Sequence, residues 1–288
     1  MDCGNPPRGG PPRFHGRTFT RRAAKETLEV NVQAPAHGRK AVLFATCFAN
    51  YNDPTIGLDA RAVLALNGVE TEVVYPGCCG MPQLENGDIE AVAASAKKTA
   101  AELTPWIEKG YDVIALVSSC ALMMKFEWPL ILPSDKAIES LSRATFDIAE
   151  YVVGMAAKQG LTDGMKPLEG GVSVHLPCHA RAQNMGPKAA EMLRLIPDTE
   201  IHVIERCSGH GGSWGIMKDH FEIALKQGKP VARQAAKNAG LYVASECPLA
   251  GDHIIQVMER LDSQETEVPD RAFHPIQLLA RSYGLQQD

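Results

Sequence analysis

Tyr75-Pro76-Gly77-Cys78-Cys79-Gly80-Met81-Pro82 decides how this chain reads. Two adjacent cysteines between glycines, at the end of the β-branched run Val69 to Tyr75, are hard to explain as packing, because a buried structural thiol needs no such turn. Working outward, the cysteines after Cys3 fall into two groups: Cys47, Cys78, Cys79 and Cys120, then Cys178, Cys207 and Cys247. Cys47 and Cys178 lie 131 residues apart, Cys78 and Cys207 129, and Cys120 and Cys247 127. Offsets so nearly constant mark an internal duplication. The surroundings repeat as well, since Cys78-Cys79-Gly80 is answered by Cys207-Ser208-Gly209, a copy that has lost one sulfur.

Each cysteine follows a short apolar run of strand length. Lys40 to Thr46 ends at Cys47, Val69 to Tyr75 leads to Cys78 and Cys79, and Asp112 to Val117 leads to Cys120. In the second group Gly171 to Leu176, Glu200 to Ile204 and Gly240 to Ala244 lead to Cys178, Cys207 and Cys247. Helical periodicity separates the runs: Asp53-Pro54 opens a helix to about Asn67, Asp88 caps another as far as Pro105, and residues 187–195 and 215–238 read as helices. The fold class is therefore α/β, with two pseudo-repeated Rossmann-like halves and the cysteines at the C-terminal ends of the strands, the edge where open α/β sheets bind ligands. The expected organisation is a disordered basic tail over 1–39, a first half over 40–134, a helical connector over 135–170 and a second half over 171–288.

Composition narrows the function. Apolar residues make up 45% of the 288 and charged residues 22%, as in soluble globular proteins. No apolar run reaches the length of a membrane helix, and the first residues lack the apolar core of a secretory leader, so the cytoplasm is the expected compartment. The net charge of −5 hides an asymmetry: residues 1–40 hold eight Lys or Arg against three Asp or Glu, leaving an acidic remainder unsuited to nucleic acid. In a reducing compartment eight cysteines read as metal ligands or redox groups rather than disulfides. Thiolates suit iron-sulfur clusters, zinc or copper(I). The C-x(2–4)-C pairs of zinc knuckles are absent, and ligands spread over about 75 residues suit a cofactor cradled by a preformed sheet edge.

Cys47, Cys78-Cys79-Gly80, Cys120, Pro177-Cys178-His179, Cys207-Ser208-Gly209-His210-Gly211-Gly212 and Cys247 together resemble the duplicated cysteine-rich (CCG) domain family. That domain occurs in one subunit of heterodisulfide reductase and in the iron-sulfur subunits of glycolate oxidase, lactate-utilisation complexes and anaerobic glycerol-3-phosphate dehydrogenase. The last is nearest, through Ser119-Cys120-Ala121-Leu122-Met123, Ser213-Trp214-Gly215 and His274-Pro275-Ile276-Gln277-Leu278-Leu279-Ala280. The resemblance covers about residues 40–285. It implies an iron-sulfur electron-transfer subunit of a flavin-linked dehydrogenase or a heterodisulfide-reductase-like complex, with [4Fe-4S]-type clusters. The implied partners are a flavoprotein dehydrogenase, a ferredoxin-type subunit or both, with membrane association only peripheral and through a partner.

The expected metal ligands are Cys47, Cys78, Cys79, Cys120, Cys178, Cys207 and Cys247, with His210 as a further candidate in place of a lost thiolate. The family's final C-x-x-C is here Val117-Ser118-Ser119-Cys120 and Cys247-Pro248-Leu249-Ala250, which leaves four sulfurs for the first site and three for the second. His179 and Ser208 are weaker candidates, and Met123, Met124, Phe126 and Trp128 read as helix packing. Residues 1–39 hold no ferredoxin-type C-x2-C-x2-C-x3-C-P run, and no G-x-G-x-x-G fingerprint occurs, so the electron relay and substrate oxidation are expected on other chains. Two other readings stay open: a zinc-binding interaction module that has lost redox function, and a metal-free thiol oxidoreductase using Cys78 and Cys79. A strained vicinal disulfide counts against the second.

Overall fold

The structure, a computed structural model, describes residues 14–238, 240–261 and 268–286. Cys3 and residues 1–13 of the expected tail lie outside the described residues. Residues 14–39 depart from the expected disorder. Helix α1 (Phe19–Ala23) is capped by Thr18, its Thr20 amide donates to Asn50 Oδ1 at 3.0 Å, and Phe19 is fully buried. The arginines that give this segment its basic, solvated look flank a single aromatic anchor.

The first half runs β1 (Lys40–Phe44), α2 (Cys47–Tyr51), α3 (Pro54–Leu66), β2 (Glu70–Val74), α4 (Met81–Glu85), α5 (Ile89–Glu108) and β3 (Asp112–Ala115). It continues through α6 (Ser118–Leu122), a π-helical turn over Met123–Glu127, α7 (Trp128–Ile131), α8 (Lys136–Ala144), β4 (Thr145–Asp147) and α9 (Ile148–Gln159). Its parallel strands lie in the order β2-β1-β3-β4. Central β1 (KAVLF) buries four of its five residues and the edge strand β2 (ETEVV) buries none, which is what their apolar and alternating sequences dictate.

The second half repeats this as β5 (Val172–His175), α10 (Cys178–Arg181), α11 (Lys188–Leu193), β6 (Ile201–Ile204), α12 (Phe221–Lys237), β7 (Tyr242–Ser245), α13 (Pro248–Met258), β8 (Ala272–Phe273) and α14 (Pro275–Ser282). The order is β6-β5-β7-β8, again all parallel.

Three expectations need correction. The connector over 135–170 contains β4, which completes the first sheet, so residues 135–159 belong to the first half. Helix α5 does not stop at Pro105 but runs to Glu108; the proline removes one backbone donor in the last turn, and the Thr104 hydroxyl donates to Ala100 O at 2.7 Å beside it. The helix expected from residue 215 begins only at Phe221, because the Trp214–Ile216 turn is 3-10.

The halves meet through two matching helix pairs, α3 against α14 and α11 against α9, in which each half supplies the helix after its first strand and the helix after its last. Their apolar faces merge into one core in which Leu43, Leu64 and Ile114 of the first half join Val174, Leu193 and Leu278 of the second, all fully buried. Matching capping boxes start α9 and α14, Asp147 with Glu150 and His274 with Gln277. Phe19 seals the outer side of this core, its ring 2.5 Å from where a Cβ on Gly57 would stand. Phe19→Ala is expected to lower stability by about 3–5 kcal/mol, seen as a drop in the urea midpoint at unchanged slope. A loss within about 0.5 kcal/mol, the range of surface substitutions, would show that this segment stands outside the core.

Candidate metal centre

Strand ends set the cysteines. Thr46, at φ 28°, turns the chain sharply after β1, and its hydroxyl accepts from the Ala49 amide at 3.2 Å, so that α2 begins at Cys47. Gly80, at φ 89°, makes the left-handed turn that leaves Cys78 and Cys79 behind β2 and starts α4. Cys120 sits in the first turn of α6. Trp128, fully buried, donates its indole N–H to the Cys79 carbonyl at 3.1 Å, so this expected packing residue also holds the Cys78-Cys79 turn.

The four first-half sulfurs form a continuous string. Cys120 Sγ lies 3.2 Å from Cys79 Sγ, Cys78 contacts both Cys79 and Cys47, and Cys47 Sγ lies 3.2 Å from the Tyr75 hydroxyl. All are free thiols, with Cys79 and Cys120 buried and Cys47 and Cys78 half-buried. Hydrogen bonds from Cys47 and then Cys79, with a smaller one from the Gly80 amide, hold Cys78 far below the ordinary thiol range. Contact with Cys78 and then burial push Cys47 up, while Cys120, Cys78 and burial push Cys79 up. Cys78 is thus the sulfur these contacts favour as a thiolate, and ionising its crowded neighbours Cys47 and Cys79 as well would need a cation to offset the charge. This donor set fits a soft-metal group.

The second half is built differently. Gly209, at φ 85°, repeats the Gly80 turn, which places Ser208 at the position of Cys79. Sheet register settles the third loop: Phe44 faces Ala115 across β1 and β3, and His175 faces Ser245 across β5 and β7. Two residues further on stand Val117 and Cys247, and these are the N-caps of α6 and α13. Cys247 is therefore the counterpart of Val117, and Ala250 that of Cys120; the 127-residue offset pairs the wrong residues because each half keeps a cysteine at the opposite end of the same four-residue stretch. The buried inner pair, Cys79 and Cys120 at 3% and 5% exposure, is replaced by Ser208 and Ala250 at 6% and 1%.

What remains in the second half lies nearer the rim. Cys178 and Cys207 are exposed, and Arg181 reaches Cys178 Sγ at 3.6 Å. Cys247 Sγ lies 3.6 Å from His210 Nε2, and burial raises its pKa to about 11 against the pull of the Ala250 and Leu249 amides. Beneath it His175 bonds the Ser245 hydroxyl at 3.1 Å and the Arg206 carbonyl at 2.9 Å, tying the ends of β5, β6 and β7 together. Among the described residues no three or more His, Cys, Asp or Glu side chains close around a single ion in either half.

The two edges face each other across the seam. Glu85 of α4 approaches within 3.0 Å of where a Gly212 Cβ would stand. Gln183, buried, donates to Ser118 O at 3.2 Å and His179 O at 3.3 Å and accepts from Lys125 Nζ at 3.2 Å, so it spans from beside Cys120 to beside Cys178. Asp147, raised to about 6 mainly by burial, lies against it at 3.4 Å. Close to Asp147, Glu246 is buried with Oε1 lacking a hydrogen-bond partner, and burial first, then Asp147, holds its carboxyl well above the usual range. Sequence reasoning missed Tyr75, Trp128, Gln183 and Glu246 as site residues; nothing in their local sequence signals contacts that the fold creates. His179 is brought to the seam but not to a sulfur contact, and its pKa is lowered by burial.

The sequence profile of the cysteine-rich domain named CCG matches residues 41–125 and again 172–250. The chain belongs to the CCG cysteine-rich domain family. One subunit of the anaerobic glycerol-3-phosphate dehydrogenase of Escherichia coli (strain K12) is 28% identical over 88% of this CCG chain and 61% of its own length. One subunit of the fumarate reductase (CoM/CoB) of Methanothermobacter marburgensis is 27% identical over 77% of this chain and 43% of its own. An uncharacterized iron-sulfur protein of Methanococcus maripaludis is 28% identical over 75% of this chain and 41% of its own. The CCG chain thus spans less than two thirds of each of these relatives. No described helix is long and apolar enough to cross a membrane.

Proposed function

We propose that this CCG protein is an iron-sulfur electron-transfer subunit, serving a flavin-linked dehydrogenase or a heterodisulfide-reductase-like complex in the cytoplasm. The string Cys47, Cys78, Cys79 and Cys120 carries the reading, because four contacting thiols at one sheet edge, with Cys47 and Cys79 pressed toward protonation by their neighbours, match a cofactor with several metal atoms. Cys178, Cys207 and Cys247 would hold a second group. A bound cluster, of [4Fe-4S] type in this reading, supplies a one-electron acceptor and donor; the chain orients the thiolates, and Trp128 and Tyr75 fix two of them from behind.

Relatives named as subunits of a dehydrogenase and of a reductase support work within a complex, with a flavoprotein or a ferredoxin-type subunit as partner. Protein purified without oxygen is expected to be brown and to contain iron and acid-labile sulfide in comparable amounts. A colourless protein with stoichiometric zinc would replace this reading by the zinc-binding interaction module, and a metal-free protein with reactive Cys78 and Cys79 by the thiol oxidoreductase.

A further inference from the structure

His210 sits where an imidazole ligand would make up for a missing thiolate, but its other nitrogen is already committed. Gly212 donates its backbone N–H to His210 Nδ1 at 2.8 Å. An imidazolium would carry a proton on both nitrogens, so a ring whose Nδ1 accepts this bond is neutral. A neutral imidazole carries one proton, and a nitrogen that accepts an N–H bond cannot hold it, so the proton is on Nε2. That nitrogen lies 3.6 Å from Cys247 Sγ, and its N–H therefore donates to the sulfur.

The loop enforces this arrangement. Gly211 and Gly212, at φ 53° and 60°, curl the chain so that its amide returns to the ring. The Gly215 N–H closes on His210 O at 3.0 Å, and a Cβ on Gly215 would collide with that oxygen, so the ring's backbone is pinned. In the first half the residue after the matching glycine is Met81, which offers no donor, and the site there has four thiolates.

We propose that His210 is not a ligand of the second site but its outer hydrogen-bond donor, positioned by Gly212 to bond Cys247 and raise the potential of the group held there. The proposal rests on the iron-sulfur reading above for its redox consequence and on the hydrogen bonds alone for the tautomer. A donor to a ligating sulfur stabilises the more negative, reduced state, which moves the potential upward.

Two measurements test it. In the metal-free full chain, long-range proton–nitrogen correlation on nitrogen-15 histidine is expected to show His210 as the Nε2–H tautomer. An Nδ1–H tautomer would overturn the proposal, whatever metal the protein takes. In the loaded protein, His210→Met, which copies the first half, is expected to shift the second centre to lower potential and leave the first where it is. His210→Gln, which keeps a donor near the Nε2 position, restores much of the shift. A strong directly bonded nitrogen coupling on the second centre, lost in His210→Met, would make His210 a ligand; an unchanged potential in His210→Met would deny the donor role. Absence of iron from a chain that still shows the Nε2–H tautomer would sink the cluster reading and leave the hydrogen bond standing.

Discussion

Cys79→Ser and Cys120→Ser are each expected to strip iron and sulfide from the first site while leaving the fold and the second site in place. These two sulfurs are the inner pair, 3.2 Å apart and nearly excluded from water, so a group seated between the strand ends meets them first. Serine is a harder and far less acidic donor than cysteine and does not replace a thiolate toward iron. The folding cost is limited, because each substitution swaps one small side chain in a loop and leaves at most one buried hydroxyl in search of a partner, about 1–3 kcal/mol. That is smaller than the roughly 5–15 kcal/mol by which domains are usually stable. Iron and sulfide analysis, electron paramagnetic resonance and circular dichroism on the same samples separate loss of the cluster from loss of the fold. Unchanged iron content and spectrum in both variants would show that the inner pair does not ligate.

Much of this architecture is legible in the sequence because the strands that carry it are long enough to show their period and each ends at a cysteine. Central strands β1, β3, β5 and β7 are apolar runs closed by Cys47, Cys120, Cys178 and Cys247, and the duplication confirms one half by the other. Strands β4 and β8 escape that logic. They are three and two residues long, too short for any periodicity, and they join their sheets only because β3 and β7 leave an edge open beside them. Phe19 escapes for a different reason: local composition around it is basic, and only Gly57, far along the chain and lacking a Cβ, makes room for the ring. The site is legible as a list of residues and as four sulfurs against three, but not in how deeply each sulfur sits. Cysteine offsets alone equate Cys120 with Cys247, whereas the register of the sheets, like the stretches Val117–Cys120 and Cys247–Ala250 set side by side, makes Cys247 the counterpart of Val117.

That displacement governs how firmly the second site holds its group. With Cys178 and Cys207 exposed and Ser208 and Ala250 in the inner positions, a group held here would be bound by two rim sulfurs and Cys247 and would be left more open to solvent than one in the first half. Under a mild anaerobic chelator the second cluster is expected to leave well before the first. Ser208→Cys combined with Ala250→Cys rebuilds the inner pair and brings the half to five sulfurs. Both changes are small: a hydroxyl becomes a thiol at one position, and one sulfur is added on the first turn of α13 at the other. Because even outer-sphere changes alter metal affinity by about 10–100-fold, two restored thiolates are expected to slow loss of the second cluster by at least about tenfold, each single variant falling between. The rates are read from the decay of visible absorbance, with electron paramagnetic resonance assigning each phase to its centre. Equal loss from both halves in the unaltered protein, with the double variant no slower, would mean that Ser208 and Ala250 do not line the second group and that sheet register is the wrong guide to its ligands.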